Sequence, residues 1–207
     1  GFNQDLSSSK AYNLEFGWRY TTSQNTLEAT LYSIKTQNEI LPYELEAFPD
    51  RDFYRNAGNT TRMGVELFWE YQKGLWEWTV AYNHASIKFD NYVLKDKNLS
   101  GNYLPGIPKQ QLNASLRYKF ESGWGTALQT QYTGNLYADD ANQTQVADYF
   151  LANLRLWKSF EHLSFFAGVN NLLDRKYFDN IRINAFGKRY YEPAPLRNLY
   201  FGISLNF

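Results

Sequence analysis

Cysteine is absent from all 207 residues, which excludes a disulfide framework, a thiol nucleophile and any cysteine-based metal site. Long apolar runs are missing as well. No stretch approaches the roughly 18 apolar residues of a membrane helix, and mean hydropathy is −0.57. Net charge is also lacking: 21 Lys and Arg balance 21 Asp and Glu, so nothing argues for a nucleic-acid partner. The chain opens on Gly1-Phe-Asn-Gln4, without a charged-then-apolar signal segment. That start is expected of a mature exported protein or a fragment. Helical 3.6-residue spacing is nowhere convincing.

What the chain has is aromatic rings, 18% of it, and alternation. At the C-terminus Leu199, Phe201, Ile203, Leu205 and Phe207 fall on one face, and Asn198, Tyr200, Gly202, Ser204 and Asn206 on the other. An apolar face opposite a polar one suits a strand between hydrocarbon and water. A soluble sandwich strand reads the same way, so the repetition decides. Nine segments alternate. Tyr12 to Tyr20, Leu27 to Leu31, Val65 to Tyr71, Trp76 to Tyr82, Leu112 to Phe120, Leu163 to Val169 and the last strand are regular. Trp124 to Tyr132 and Phe150 to Phe160 are rougher, Tyr32 and Ile34 blur the second segment, and Phe68 breaks the third.

Connections alternate too. Short turns at Thr21 to Asn25, Gln72 to Gly74, Glu121 to Gly123 and Glu161-His162 separate long excursions at Gln37 to Thr60, Asp90 to Lys109, Asn135 to Ala147 and Asp174 to Arg197. Tyr20, Tyr71, Trp76, Phe120, Trp124, Phe160 and Phe207 gather at the short-turn end, as an interfacial girdle requires. The pattern predicts an all-β, antiparallel transmembrane β-barrel segment of about nine strands, with short periplasmic turns and long extracellular loops. A soluble up-and-down barrel is the alternative, but it gives no reason for the ring of aromatics.

Asn170-Asn-Leu-Leu-Asp-Arg-Lys-Tyr177, then Arg182-Ile-Asn-Ala-Phe-Gly-Lys-Arg-Tyr-Tyr-Glu-Pro-Ala-Pro195, then the aromatic-terminated strand, resemble the C-terminal end of TonB-dependent outer-membrane receptors. Asn56-Ala-Gly-Asn-Thr-Thr-Arg-Met-Gly-Val-Glu66 and Leu104-Pro-Gly-Ile-Pro108 are similar to that family's approaches to mid-barrel strands. The resemblance covers essentially the whole chain. It implies that residues 1–207 are the C-terminal portion of a barrel of about 22 strands with a plugged lumen. The plug domain, energy-coupling box and early strands are not in this sequence. A nine-stranded sheet has two open edges, which hydrocarbon does not tolerate. An excised portion is therefore expected, rather than a small self-closing barrel or an oligomer.

The resemblance also implies a function: an outer-membrane receptor for a ferric siderophore or related iron chelate, energised through the TonB complex acting on the absent plug. No cofactor is expected, since the chelate is cargo. Expected partners are outer-membrane lipid, the iron-chelate ligand and the barrel assembly machinery. That machinery would pair with the last strand through Tyr200, Gly202, Leu205 and Phe207 by β-augmentation. Before that strand, six cations and three anions interleave with aromatics between Asp174 and Arg197. Arg182, Asn184, Phe186, Arg189, Tyr190 and Tyr191 are the candidates for gripping an anionic, partly aromatic chelate. A loop merely packed on its neighbours is the other reading. The first excursion is acidic, through Glu39, Glu44, Glu46, Asp50 and Asp52, so no single electrostatic funnel emerges. Two other classes stay open: a passive channel or adhesin-like barrel, and a hydrolase using Ser86 activated by His84. The Asp139-Asp140-Asn142 stretch offers oxygen atoms to Ca²⁺ but lacks a recognised loop spacing.

Overall fold

The computed structural model describes residues 6–188 and 190–205. Gly1 to Gln4, Arg189, Asn206 and Phe207, all invoked above, lie outside the described residues. Nine long strands form one antiparallel sheet in which every strand pairs with its neighbours in sequence. They are β1 (Lys10–Thr21), β2 (Asn25–Gln37), β3 (Asn59–Lys73), β4 (Trp76–Asn91), β5 (Gln110–Lys119), β6 (Trp124–Thr133), β7 (Tyr149–Ser159), β8 (Leu163–Asn170) and β9 (Asn198–Leu205). The sheet runs from β1 to β9 and does not close, so both end strands present an unpaired edge. The rough segments Trp124 to Tyr132 and Phe150 to Phe160 are regular strands, paired with each other without a bulge.

Register turns the alternation into two continuous faces, because residues directly opposite share a side of the pleat. Phe16, Leu31, Val65 and His84 lie in one row, and Trp18, Ala29, Leu67, Tyr82 and Leu112 in another. Large apolar side chains on this face are exposed, Leu14 at 75% and Phe201 at 89%. At the short-turn end rings touch along the rim: Trp76 lies 4.4 Å from Tyr118, and Tyr118 lies 4.6 Å from Phe120.

The irregularities in the sequence pattern belong to the polar face. Tyr32, Trp157, Tyr200 and Phe166 each sit directly opposite a glycine, Gly64, Gly125, Gly168 and Gly202 respectively. A Cβ on any of the four would fall within 2.5 Å of the facing ring. Each ring thus lies over bare backbone and shields it, a cross-strand device that pins register.

Each long connection carries its own hairpin. Loop L1 (residues 38–58) holds Ile40–Leu45 against Phe48–Asn56, and L2 (92–109) holds Val93–Leu94 against Lys97–Asn98. L3 (134–148) pairs Leu136–Tyr137 with Gln145–Val146, and L4 (171–197) pairs Phe178–Ile181 with Tyr191–Pro193. The two hydrophobic cores described lie mainly in these loops. Leu41, Ala57, Phe89, Tyr92, Leu99 and Leu104 form one, joining L1 and L2 to the top of β4. Ala138, Val146, Ala185 and Tyr190 form the other, between L3 and L4.

Candidate functional site

The motifs that carry the family resemblance become the attachment points of the loops. Gly58 adopts φ +74°, and a Cβ there would sit 1.9 Å from the Asn91 carbonyl oxygen. Only glycine allows L1 to close so tightly onto β4. Beside it Ala57 is fully buried and donates its N–H to the Glu39 carbonyl at 2.7 Å. Asn171, 3% exposed, clamps the start of L4. Its amide donates to the Arg175 carbonyl and its side-chain oxygen accepts from the Arg175 N–H, both at 2.8 Å. Asp174 then accepts the Arg197 N–H at 3.0 Å, tying the loop's exit to its start.

Above these anchors, all four loops meet at Asp140, which is 2% exposed. Its Oδ2 accepts from Arg55 of L1 at 3.0 Å and from the Tyr92 hydroxyl of L2 at 3.1 Å. Its Oδ1 accepts from the Asn184 amide of L4 at 2.9 Å, and its carbonyl from Asn102 of L2 at 2.9 Å. Asn184 reaches onward to the Pro42 carbonyl of L1 at 3.1 Å. The Arg55 guanidinium stacks on Tyr43, 4.7 Å from the ring centre. Burial, and then the Asp140 carboxylate, push the Tyr92 phenol up to about 12. A buried carboxylate satisfied on both oxygens by three loops besides its own is a lock.

Two acidic residues of L1 are likewise committed. Glu39 accepts from the Thr60 hydroxyl and from Arg62, each at 2.6 Å. Glu44, its side chain only 3% exposed, accepts the Phe186 N–H at 3.1 Å and lies 3.6 Å from Arg182. Arg182 also donates to Glu192 at 3.1 Å, and hydrogen bonds from Asn180 and Arg182 hold the Glu192 carboxyl below its usual range. Asp139 accepts the Gln143 and Thr144 N–H groups of its own loop. Its oxygens and those of Asp140 are thus directed inward.

Of the six L4 residues singled out from sequence, the five that are described separate in the structure. Arg182 and Asn184 belong to the inter-loop network. Tyr190 is buried in the L3–L4 core, whereas the sequence reading turns it toward a ligand. Phe186 and Tyr191 are exposed. Tyr200 and Gly202 sit in β9 as members of the ring-over-glycine pairs, and Leu205 ends that strand on the apolar face.

The combination of cations and rings occurs instead beside Tyr191. A cleft of about 350 Å³ opens between L3 and L4, lined by Asp148, Tyr149, Arg175, Lys176, Tyr177, Phe178 and Tyr191 among others. Tyr149 and Tyr177 lie 4.6 Å apart, and Phe178 and Tyr191 4.7 Å. Burial raises the Tyr177 phenol above its ordinary value, and its hydroxyl is a hydrogen-bond donor at neutral pH as any tyrosine's is. Arg175, Lys176, Tyr177 and Phe178 stand among the L4 cations and aromatics counted from sequence. Their convergence depends on L3, which the local pattern does not reveal.

His84 and Ser86 share the apolar face of β4, opposite Val65 and Met63. Neither register neighbour is an orienting carboxylate. The polar face carries mixed charges in pairs: Arg19 with Glu28 at 2.9 Å, and Glu77 with both Arg117 and Lys119.

Comparison with known proteins agrees with this architecture. A family model described as TonB dependent receptor-like, beta-barrel, matches residues 1–172. The pesticin receptor of Yersinia pestis is 30% identical over 176 residues, covering 81% of this chain and 25% of that receptor. The ferrioxamine receptor of Yersinia enterocolitica is 29% identical over 180 residues, covering 82% and 24%. The crystal structure of the ferric yersiniabactin uptake receptor FyuA from Yersinia pestis superposes with a TM-score of 0.78 at 22% identity, over 96% of this chain and 30% of that one. The chain spans about a quarter of the length of the curated relatives it matches.

Proposed function

We propose, because this chain belongs to the TonB-dependent receptor-like β-barrel family, that it is the C-terminal part of an outer-membrane receptor for a ferric siderophore or similar iron chelate. The apolar face of the nine strands meets lipid, the short turns and C-terminus face the periplasm, and the four loops face outward. The plug lies in sequence beyond these 207 residues, and TonB acts there. Iron enters as cargo. The last strand, β9, is the one that would pair with the barrel assembly machinery by β-augmentation. Membership of the family carries the uptake reading, and the ferrioxamine receptor relative supports the substrate class.

Within this chain the L3–L4 cleft is the ligand-facing element, held in place by the Asp140 lock. Arg175 and Lys176 supply positive charge, and Tyr149, Tyr177 and Tyr191 supply stacking faces for an anionic chelate. The test uses the full-length receptor on iron-starved cells at equal surface abundance. Replacing Lys176 and Tyr177 together by Ala should remove roughly 1.5–3 kcal/mol of binding, about tenfold to a hundredfold in affinity. Unchanged affinity would move the site away from this cleft. Failure of the unaltered receptor to take up any ferric chelate in TonB-energised cells would overturn the uptake reading itself.

A further inference from the structure

The geometry points to a second binding site, on the apolar-face rim at the long-loop end, for the phosphorylated headgroup of a membrane lipid; this inference rests on the membrane-wall reading above. On β3 the apolar face runs from Tyr71 through Trp69, Leu67 and Val65 to Met63. Those nine residues match the roughly 9–11 that a tilted strand needs to cross hydrocarbon. The next position on that face is Thr61, flanked in register by Lys35 on β2 and Lys88 on β4. Two lysines thus stand at one depth, just past the hydrocarbon, about 10 Å apart across two strand spacings. That is the level of the headgroups.

A third lysine converges on the same point. Tyr103 of L2 bridges Lys88, and the Lys88 ammonium lies 4.8 Å from the Tyr103 ring centre. The Lys109 ammonium lies 4.1 Å from that ring and 5.2 Å from the ring of Tyr137. Two ammonium groups held against one ring repel each other, and an anion between them relieves that repulsion. Among the described residues neither has a carboxylate within ion-pair distance. Asp90, two positions on from Lys88, accepts instead from the Thr61 hydroxyl at 2.7 Å. Positive charge fixed by aromatic rings at headgroup depth fits an anionic lipid, and the apolar face directly below receives its acyl chains.

The experiment embeds the full-length receptor in phosphatidylethanolamine nanodiscs doped with bisphosphorylated or dephosphorylated lipid A, and counts retained glycolipid by native mass spectrometry. The unaltered protein should retain the bisphosphorylated form preferentially. Lys88→Gln with Lys109→Gln should retain roughly tenfold less. Lys158→Gln, at the short-turn end beside Trp124 and Phe160, should behave as the unaltered protein. Heat-modified migration on gels confirms folding of every variant. Equal retention by the unaltered and doubly substituted proteins would overturn the proposal. So would displacement of the lipid by inorganic phosphate alone, which would show a free-anion site. Failure of the unaltered protein to enter the nanodisc would instead overturn the membrane-wall reading.

Discussion

Asp140 and Asn184 exchange two hydrogen bonds although 44 positions separate them. The Asn184 amide donates to Oδ1 at 2.9 Å, and the Asp140 N–H donates to the Asn184 side-chain oxygen at 3.0 Å. This reciprocal pair joins L3 to L4, and the second carboxylate oxygen joins both to Arg55 and Tyr92. The wall therefore presents its four loops as one body rather than four independent lids.

Removing that carboxylate should release all four loops together. Asp140→Ala leaves the Arg55 charge and the Tyr92 hydroxyl facing each other without their shared acceptor. Breaking a buried pair costs about 3–5 kcal/mol, and the lower end applies because a quarter of the Arg55 side chain remains solvated. Hydrogen exchange should rise in L1, L2, L3 and L4 at once, while β5 to β8 keep their protection. Faster exchange confined to L3 would show that the lock does not couple the loops.

The same cluster carries a pH dependence whose sign is set by Tyr92. Its pKa in the folded chain is about 12, above the ordinary tyrosine value near 10. The folded form therefore holds its proton more tightly, and the stabilisation is complete below pH 10 and lost as the pH rises toward 12. Absorbance at 295 nm should show one late-titrating tyrosine that Tyr92→Phe removes. Protease protection of L2 should fall over the same interval in the unaltered receptor. Early titration of every tyrosine would remove the basis for this dependence.

The strand faces were legible from sequence because period two is a local property, and all nine alternating segments became strands. The exceptions, Tyr32 and Phe68, looked like noise because they place rings on the polar face. Their meaning is non-local: Tyr32 covers Gly64, which only the β2–β3 register brings opposite it. The loop site was legible in chemistry and not in placement. A mixture of Arg, Lys and Tyr in L4 marked the region, but nothing local distinguishes Tyr190, turned into the core, from Tyr191, turned out of it. The acids of L1 looked like a negative surface, yet Glu39 and Glu44 are anchors for Arg62 and for L4. Such partners lie from 21 to 142 positions away, beyond the reach of any pattern window.

The ring-over-glycine pairs make a specific demand on the wall. Gly125→Ala places a methyl group 2.1 Å from atoms of the Trp157 indole, which must leave its seat. Gly17 occupies the same polar face, but its added Cβ would meet nothing closer than the Thr30 hydroxyl at 3.9 Å. Overpacking of this kind costs about 1–3 kcal/mol. The urea midpoint of the folded receptor should fall for Gly125→Ala and stay within error for Gly17→Ala. Equal midpoints would mean that the rings adapt freely and do not hold register.

Depth on the apolar face should be readable by charge. Leu67 lies midway between Tyr71 and Met63 on β3, with Ala29 and Tyr82 beside it. Leu67→Arg is expected to cost about 2–4 kcal/mol, as at the bilayer midplane, and Thr61→Arg about 0–1 kcal/mol, as at the interface. Refolding titrations into lipid vesicles measure both. Equal costs would refute the assignment of this face to hydrocarbon.

Tyr190 separates a residue that binds from one that supports. It is 9% exposed and packs with Ala138, Val146 and Ala185, so its ring fills the core between L3 and L4. Tyr190→Ala should leave a cavity costing about 3–5 kcal/mol locally, and affinity for the chelate should fall because the L3–L4 cleft loses its wall. Tyr190→Phe keeps the ring and should keep the affinity. Tyr177, which lines the cleft, should tolerate neither change equally: Tyr177→Phe loses a donor hydroxyl and Tyr177→Ala loses the stacking face as well. Ligand affinity on cells, paired with hydrogen exchange in L3 and L4, distinguishes the two. If Tyr190→Phe weakened binding as much as Tyr190→Ala while exchange stayed unchanged, the Tyr190 hydroxyl would itself be a ligand contact.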